Sequence, residues 1–109
     1  MVDGHKIKKK IEVDEFLEHI REYDKEDIET TEHTFFRLND KQRKIYNDSL
    51  IKDIISTELP FFVGIQNNNL WAIFYKYNKS IFRFIVDLQP NKIYIVTFYI
   101  IDEDKIPRI

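Results

Sequence analysis

The chain of 109 residues has no cysteine, two glycines and three prolines. The lack of cysteine excludes disulfides, thiolate nucleophiles and cysteine-ligated zinc or iron–sulfur sites together; this suits a reducing interior and makes the cytoplasm the expected compartment. So little glycine leaves no glycine-rich phosphate loop, and no serine stands in a nucleophile elbow. His5, His19 and His33 are far apart in the chain, so no histidine pair has metal-site spacing, and neither a metal nor a cofactor is expected. No apolar run approaches the ~20 residues that span a bilayer, and no apolar core follows the N-terminal lysines. Neither a signal peptide nor a membrane contact is expected.

Of the residues present, 43% are hydrophobic and 33% charged, which suits one domain with a buried core and a wet surface. The formal net charge of −2 excludes a broad surface that holds nucleic acid by counterion release, so any RNA contact must be a local cluster. Lys6, Lys8, Lys9 and Lys10 are followed at once by Glu12, Asp14, Glu15 and Glu18. Residues 1–12 therefore read as a mobile basic arm, and 102–109, charged and containing Pro107, as a C-terminal tail.

Between these ends the hydrophobic period changes once. Val13, Phe16, Leu17 and Ile20 recur at helical spacing, which predicts a surface helix over about 13–23. Residues 24–31 read as a polar connector that includes a short extended piece at Ile28 to Thr31. Projection at ~100° per residue gathers Phe35, Leu38, Ile45 and Tyr46 on one side and His33, Arg37, Lys41 and Lys44 on the other, which predicts a helix over about 33–43. Asn47, Asp48 and Ser49 offer capping chemistry for a further helix whose apolar face is Leu50, Ile51, Ile54 and Ile55, with Pro60 just beyond its end. Strands then follow at 61–66, 70–77, 80–88 and 92–101, separated by turns rich in asparagine. The expected fold is α+β, with two or three N-terminal helices packed on a four-stranded antiparallel β-meander.

Few residues stand out as carriers of chemistry. His33 and Arg37, one helical turn apart, can reach a common anion, and Lys41, Arg43 and Lys44 extend the basic stripe. The same pattern also describes the wet face of an amphipathic helix. Arg83 alternates with Ile81, Ile85 and Asp87 on one face of its strand, placed either to reach into a concave surface or to occupy a solvated one. Thr97 and Tyr99 share a face of the last strand and offer hydrogen bonds to a phosphate, although β propensity alone accounts for both. Trp71, Tyr75 and Tyr77 share a face suited to base stacking or, equally, to the core.

Taken together, the segment with His33, Arg37 and Arg43, the amphipathic helix after it, the meander with Arg83 and the final IVTFY strand resemble the small RelE-like and BrnT-like toxin domains, over about residues 32–102. The resemblance implies the barnase, colicin and RelE type of nuclease fold and a metal-independent endoribonuclease, in which the RNA 2′-hydroxyl attacks the adjacent phosphate and leaves a 2′,3′-cyclic phosphate. Carried onto this sequence, His33 is the acid or base, Arg37 and Arg83 clamp the phosphate, and Tyr99 or Thr97 supplies a further hydrogen bond. The implied partners are RNA or the ribosome and an antitoxin protein.

The chain is mildly acidic where such toxins are strongly basic, and a second reading follows from that. A small, charged domain with many aromatics also suits a non-catalytic interaction module of a phage, plasmid or archaeal or bacterial accessory system, which the resemblance would make a degenerate relative of the nuclease fold, or a homodimer paired through a sheet edge. The two readings differ in geometry. An enzyme needs His33, Arg37, Arg83 and Tyr99 in one cleft, whereas a module needs an exposed apolar patch.

Overall fold

A computed structural model describes residues 6–36, 38–77 and 79–102. In chain order the elements are β1 (Ile7–Ile11), α1 (Val13–Ile20), β2 (Ile28–Thr30), α2 (Asp40–Ile45), α3 (Asp48–Thr57), β3 (Phe62–Gln66), β4 (Trp71–Tyr77), β5 (Ser80–Leu88) and β6 (Ile93–Ile101). All six strands join one sheet in the order β1-β3-β4-β5-β6-β2. β1 pairs antiparallel with β3, and β2 pairs parallel with β6.

The expectation of a four-stranded antiparallel meander under two or three helices is thereby corrected to an α+β fold built on a six-stranded mixed sheet. The extended piece expected near Ile28 is present as β2, but its place in the sheet, and β1 altogether, escape local patterning for physical reasons. β1 lies in the segment that reads as a mobile arm. Its sequence IKKKI buries only its two isoleucines, and a register shift between Ile7 and Lys9 breaks the alternation that would reveal a strand. β2 has three residues, and its pairing partners Ile93, Tyr94 and Ile95 lie more than sixty positions away.

The helix expected over 33–43 is corrected as well. Residues 32–36 form successive turns, with the amides of Thr34, Phe36 and Leu38 bonded three residues back to Thr31, His33 and Phe35. The helix begins only at Asp40, because Asn39 and Gln42 make a reciprocal capping box: Gln42 N donates to Asn39 Oδ1 at 2.8 Å, and Asn39 N donates to Gln42 Oε1 at 3.0 Å. Asn47 caps α3 by accepting from Leu50 N at 3.0 Å, and α3 buries Ile51, Ile54 and Ile55.

The main core lies between the helices and one face of the sheet. It joins Phe16 of α1, the three isoleucines of α3 and Ile28 of β2 to Ile73, Tyr75, Phe82, Phe84, Val86, Ile93, Ile95 and Phe98. Trp71 packs edge-on to His19 at 5.4 Å and against Phe16 at 5.9 Å, and Tyr75 is wholly buried. The aromatic row of β4 is therefore core, not a stacking platform. The other sheet face carries a second apolar cluster of Ile7, Phe62, Ala72, Phe74 and Ile85. Among the described residues no helix is long and apolar enough to cross a membrane.

Two positions yield tests of this packing. Gly64 sits opposite Lys10 where β1 pairs with β3, and a Cβ there would lie 2.7 Å from Ile7 Cγ2 and 3.2 Å from the Lys9 carbonyl oxygen. Gly64→Ala is expected to cost about 1–3 kcal/mol and to loosen β1 first, seen as faster hydrogen exchange at its amides. The Tyr75 hydroxyl is buried with no hydrogen-bond partner among the described residues, and burial, with a smaller contribution from Glu58, pushes its pKa above the ordinary tyrosine value. Tyr75→Phe is expected to gain about 1 kcal/mol in denaturant melts. Since the phenol keeps its proton more tightly folded than unfolded, the unfolded chain ionises first and the wild type loses stability as pH rises above about 10. The variant should therefore lose less stability than the wild type between about pH 9 and 11, a window of roughly one unit on either side of the ordinary tyrosine pKa.

Candidate functional site

The exposed surface with the most unusual character lies at the β6 and β2 side of the sheet. β2 covers β6 only as far as Ile95, and the chain after β2 takes over the pairing. Thr34, wholly buried, donates its hydroxyl to the Ile95 carbonyl at 2.6 Å and accepts from Thr31 N at 2.7 Å. Its own carbonyl accepts from Phe98 N at 3.0 Å, and the Thr31 hydroxyl lies 3.2 and 3.3 Å from the carbonyls of Ile95 and Val96. Two threonines thus rivet the 31–36 segment to the sheet. Arg43 holds its far side by donating Nε to the Phe35 carbonyl at 3.1 Å.

The riveted segment turns Phe35 inward against the core and Phe36 outward, 73% exposed. Phe36 forms the wall between two shallow grooves. One, of about 380 Å³, is lined by His33, Phe36, Val96 and Thr97. The other, of about 400 Å³, is lined by Glu32, Phe35, Phe36, Arg43, Asn47 and Asp48. The His33 ring meets Phe36 edge-on at 6.3 Å. In the second groove burial works to raise the Asp48 pKa, but hydrogen bonds from Lys52 and Thr30 and the charges of Lys52 and Lys25 outweigh it, holding the carboxylate below its ordinary value. Asp48 is therefore an anion at neutral pH.

The residues singled out from sequence fall into separate groups. His33 and Thr97 share the first groove. Arg83 and Tyr99 are direct cross-strand partners on the second face of the sheet. There the Arg83 guanidinium lies over the rings of Phe74 at 5.2 Å and Tyr99 at 5.7 Å, and donates to Gln66 Oε1 at 2.7 Å. Asp87, two pleats along, accepts from Gln89 instead. Lys41, Arg43 and Lys44 lie on α2, whose outer face they make basic. Arg37 lies outside the described residues.

Phe36, Val96, Glu32 and Asp48 are site residues that the sequence pattern does not single out. The signal available for Phe36 is the doublet Phe35–Phe36, of which the helical projection gathers only Phe35 on the apolar side. Among the described residues no group of three or more His, Asp or Glu side chains is placed to hold a metal ion. The chemistry on offer is an aromatic anchor, two apolar hollows and charges of both signs at their rims.

Removing the rivet tests its importance. Thr34→Val keeps the shape and deletes the buried hydroxyl, leaving the Thr31 amide without its acceptor. A loss of about 1–3 kcal/mol is expected, with faster exchange at the Phe98 amide before other β6 amides.

Comparison with known proteins gives one finding. A family model, that of the MJ0788 family, matches residues 14–87. This span runs from α1 to the end of β5 and is not a RelE-like or BrnT-like family, so the resemblance to those toxins is corrected. No curated protein and no solved structure is significantly similar to the chain.

Proposed function

The chain belongs to the MJ0788 family, and on that premise we propose that it is a non-catalytic protein-interaction module that receives its partner on the Phe36 surface. One observation carries this reading: a large aromatic side chain, 73% exposed, stands between two grooves on a segment pinned to the sheet by a buried threonine. Exposing a phenylalanine is unfavourable, and pinning its backbone removes the entropy cost that binding would otherwise carry. Such a rigid aromatic anchor with flanking hollows is the usual centre of a protein interface.

The charges around Phe36 favour a protein partner over RNA. Glu32 and Asp48 offset Arg43 in one groove, and the other groove is lined by His33, Phe36, Val96 and Thr97. Neither lining carries the net positive charge that would select a polyanion. A peptide that inserts an apolar side chain beside Phe36, with a polar residue near Arg43 and Asp48, fits both hollows.

Endoribonuclease chemistry finds less support. Cleavage requires an acid or base and a phosphate clamp around one reacting atom. His33 is exposed beside Thr97 at one groove, whereas the Arg83 guanidinium is engaged between two rings and Gln66.

The test begins with the protein that co-purifies with the wild-type chain, which is then purified and titrated calorimetrically. Phe36→Ala is expected to weaken binding at least tenfold, and Thr97→Arg, which fills the neighbouring hollow, to do likewise, with melting temperatures close to wild type. A wild-type dimer dissociated by Phe36→Ala would identify a second copy as the occupant. Cleavage of end-labelled RNA in EDTA, abolished in His33→Ala, would instead overturn the proposal in favour of the nuclease.

A further inference from the structure

The opposite edge of the sheet carries a different surface. Lys6, Lys8, Lys9 and Lys10 are all exposed along β1 and the residue before it. None of the four is ion-paired to a carboxylate among the described residues, and Lys8 donates to the side-chain oxygen of Asn69, a neutral partner that leaves its charge uncompensated. The whole chain carries −2, so with these four set aside the remainder carries −6. Four positive charges thus stand close together on one strand edge, while the rest of the chain is net acidic.

Ordering of this row is set by its ends. Ile7 and Ile11 are buried, and β1 pairs with β3 from Ile7 opposite Gln66 to Ile11 opposite Val63, so the three intervening lysines are carried on backbone fixed to the sheet. At ~3.3 Å per residue the four lysines fall within a short length of the edge, neighbouring side chains leaving the strand on opposite sides of it. The row then runs into aromatic side chains. Lys10 Nζ lies 5.8 Å from the centre of the Phe62 ring, and Lys76 Nζ lies 5.6 Å from that of Phe61, which is 37% exposed. Both rings rest on Phe74, at 6.3 Å for Phe61 and 5.4 Å for Phe62. Glu12 and Asp14 line the groove beside Lys10 and mark where the basic track stops.

We propose that the β1 edge is a contact site for single-stranded nucleic acid, in which Lys6, Lys8, Lys9 and Lys10 meet successive phosphates and the Phe61 ring stacks on a base at the end of the track. Cations along a strand edge together with a partly exposed aromatic ring are the elements of sequence-tolerant single-strand binding. Lysines on an edge strand also discourage edge-to-edge pairing of sheets, but that role does not call for a half-exposed ring, Phe61, in the groove beside Lys10. The site lies outside the span matched by the family model except for Phe61, Phe62 and Lys76. It stands at the other end of the strand order from the Phe36 grooves, so the two surfaces can be occupied together.

Fluorescence anisotropy of fluorescein-labelled oligouridylate with the full chain, across a salt series, tests this directly. The wild type is expected to bind, with affinity falling as salt rises. The triple variant Lys8→Gln, Lys9→Gln, Lys10→Gln should bind at least tenfold more weakly, with the log–log salt slope reduced by roughly 0.7 for each phosphate that is no longer neutralised. Phe61→Ala should weaken binding with the slope unchanged, and the triple change of the same lysines to arginine should retain it. Should the glutamine variant self-associate through its uncharged edge, Lys6→Gln with Lys10→Gln keeps two edge lysines and is expected to show an intermediate weakening. Absence of wild-type binding at low salt, or an equal weakening in Lys41→Gln with Lys44→Gln, would overturn the proposal. Sedimentation with phosphatidylserine vesicles that depends on the same lysines, without oligouridylate binding, would overturn it in favour of an anionic lipid surface.

Discussion

Contact among four rings in the middle of the sheet underlies the arrangement of everything else. Phe84 on β5 and Phe98 on β6 stack at 4.7 Å with their planes 14° apart, and Phe82 meets Phe98 edge-on at 5.1 Å. Tyr46, in the link between α2 and α3, closes the group from above, edge-on to Phe82 at 5.2 Å and to Phe98 at 6.0 Å. Pairs of this kind contribute roughly 0.5–1.5 kcal/mol each beyond the area they bury. More important is the geometry they impose. Tyr46 joins the two helices across a single turn, so its seat on the rings fixes where α2 ends and where α3 starts its descent over the sheet. The same β6 strand supplies the carbonyls that Thr31 and Thr34 grip, and so the position of Phe36 follows from the ring group as well.

The two edges of the sheet are treated differently. At the β2 side, a short parallel strand gives way to a riveted turn, and the result is a rigid surface with an exposed aromatic and charges of both signs. At the β1 side, a strand with buried ends exposes only lysines. A strand edge left bare invites uncontrolled pairing. Here one edge is capped by a loop and the other guarded by charge, and each solution leaves a chemically distinct surface available for recognition. Arg83, by contrast, has become a cross-strand bridge, its guanidinium lodged over two rings and bonded to Gln66 on the flank of the sheet away from the helices.

Much of the central sheet was legible from local pattern. The apolar runs of β3 to β6 alternate with asparagine-rich turns, and Asn69 and Lys79 adopt the positive φ that such turns demand. α3 was legible because Asn47 offers a cap and Ile51, Ile54 and Ile55 share a face. The 33–43 segment misled because its projection places Phe35 and Leu38 on one stripe, and a projection takes no account of where a helix can begin. Asn39 with Gln42 was the competing local signal, and Thr34 found better hydrogen-bond partners on β6 than a helix could offer it. The candidate residues divided in the same way. Arg83 and Tyr99 met because strand register is local to one hairpin, whereas His33 joined Thr97 through a loop whose path depends on a strand sixty residues further on.

From sequence alone came the class of elements in the second half of the chain, the cap and buried face of α3, and the alternation that sets Arg83 apart from Phe82 and Phe84. These depend on neighbours within a few residues, where periodicity and capping act directly. Only the tertiary structure decided that IKKKI is a strand, that Ile28–Thr30 pairs in parallel with β6, and that Phe36 stands in solvent. Each of those outcomes is a contest between hydrogen bonds and apolar contacts offered by distant parts of the chain, and such offers exist only after the sheet has formed.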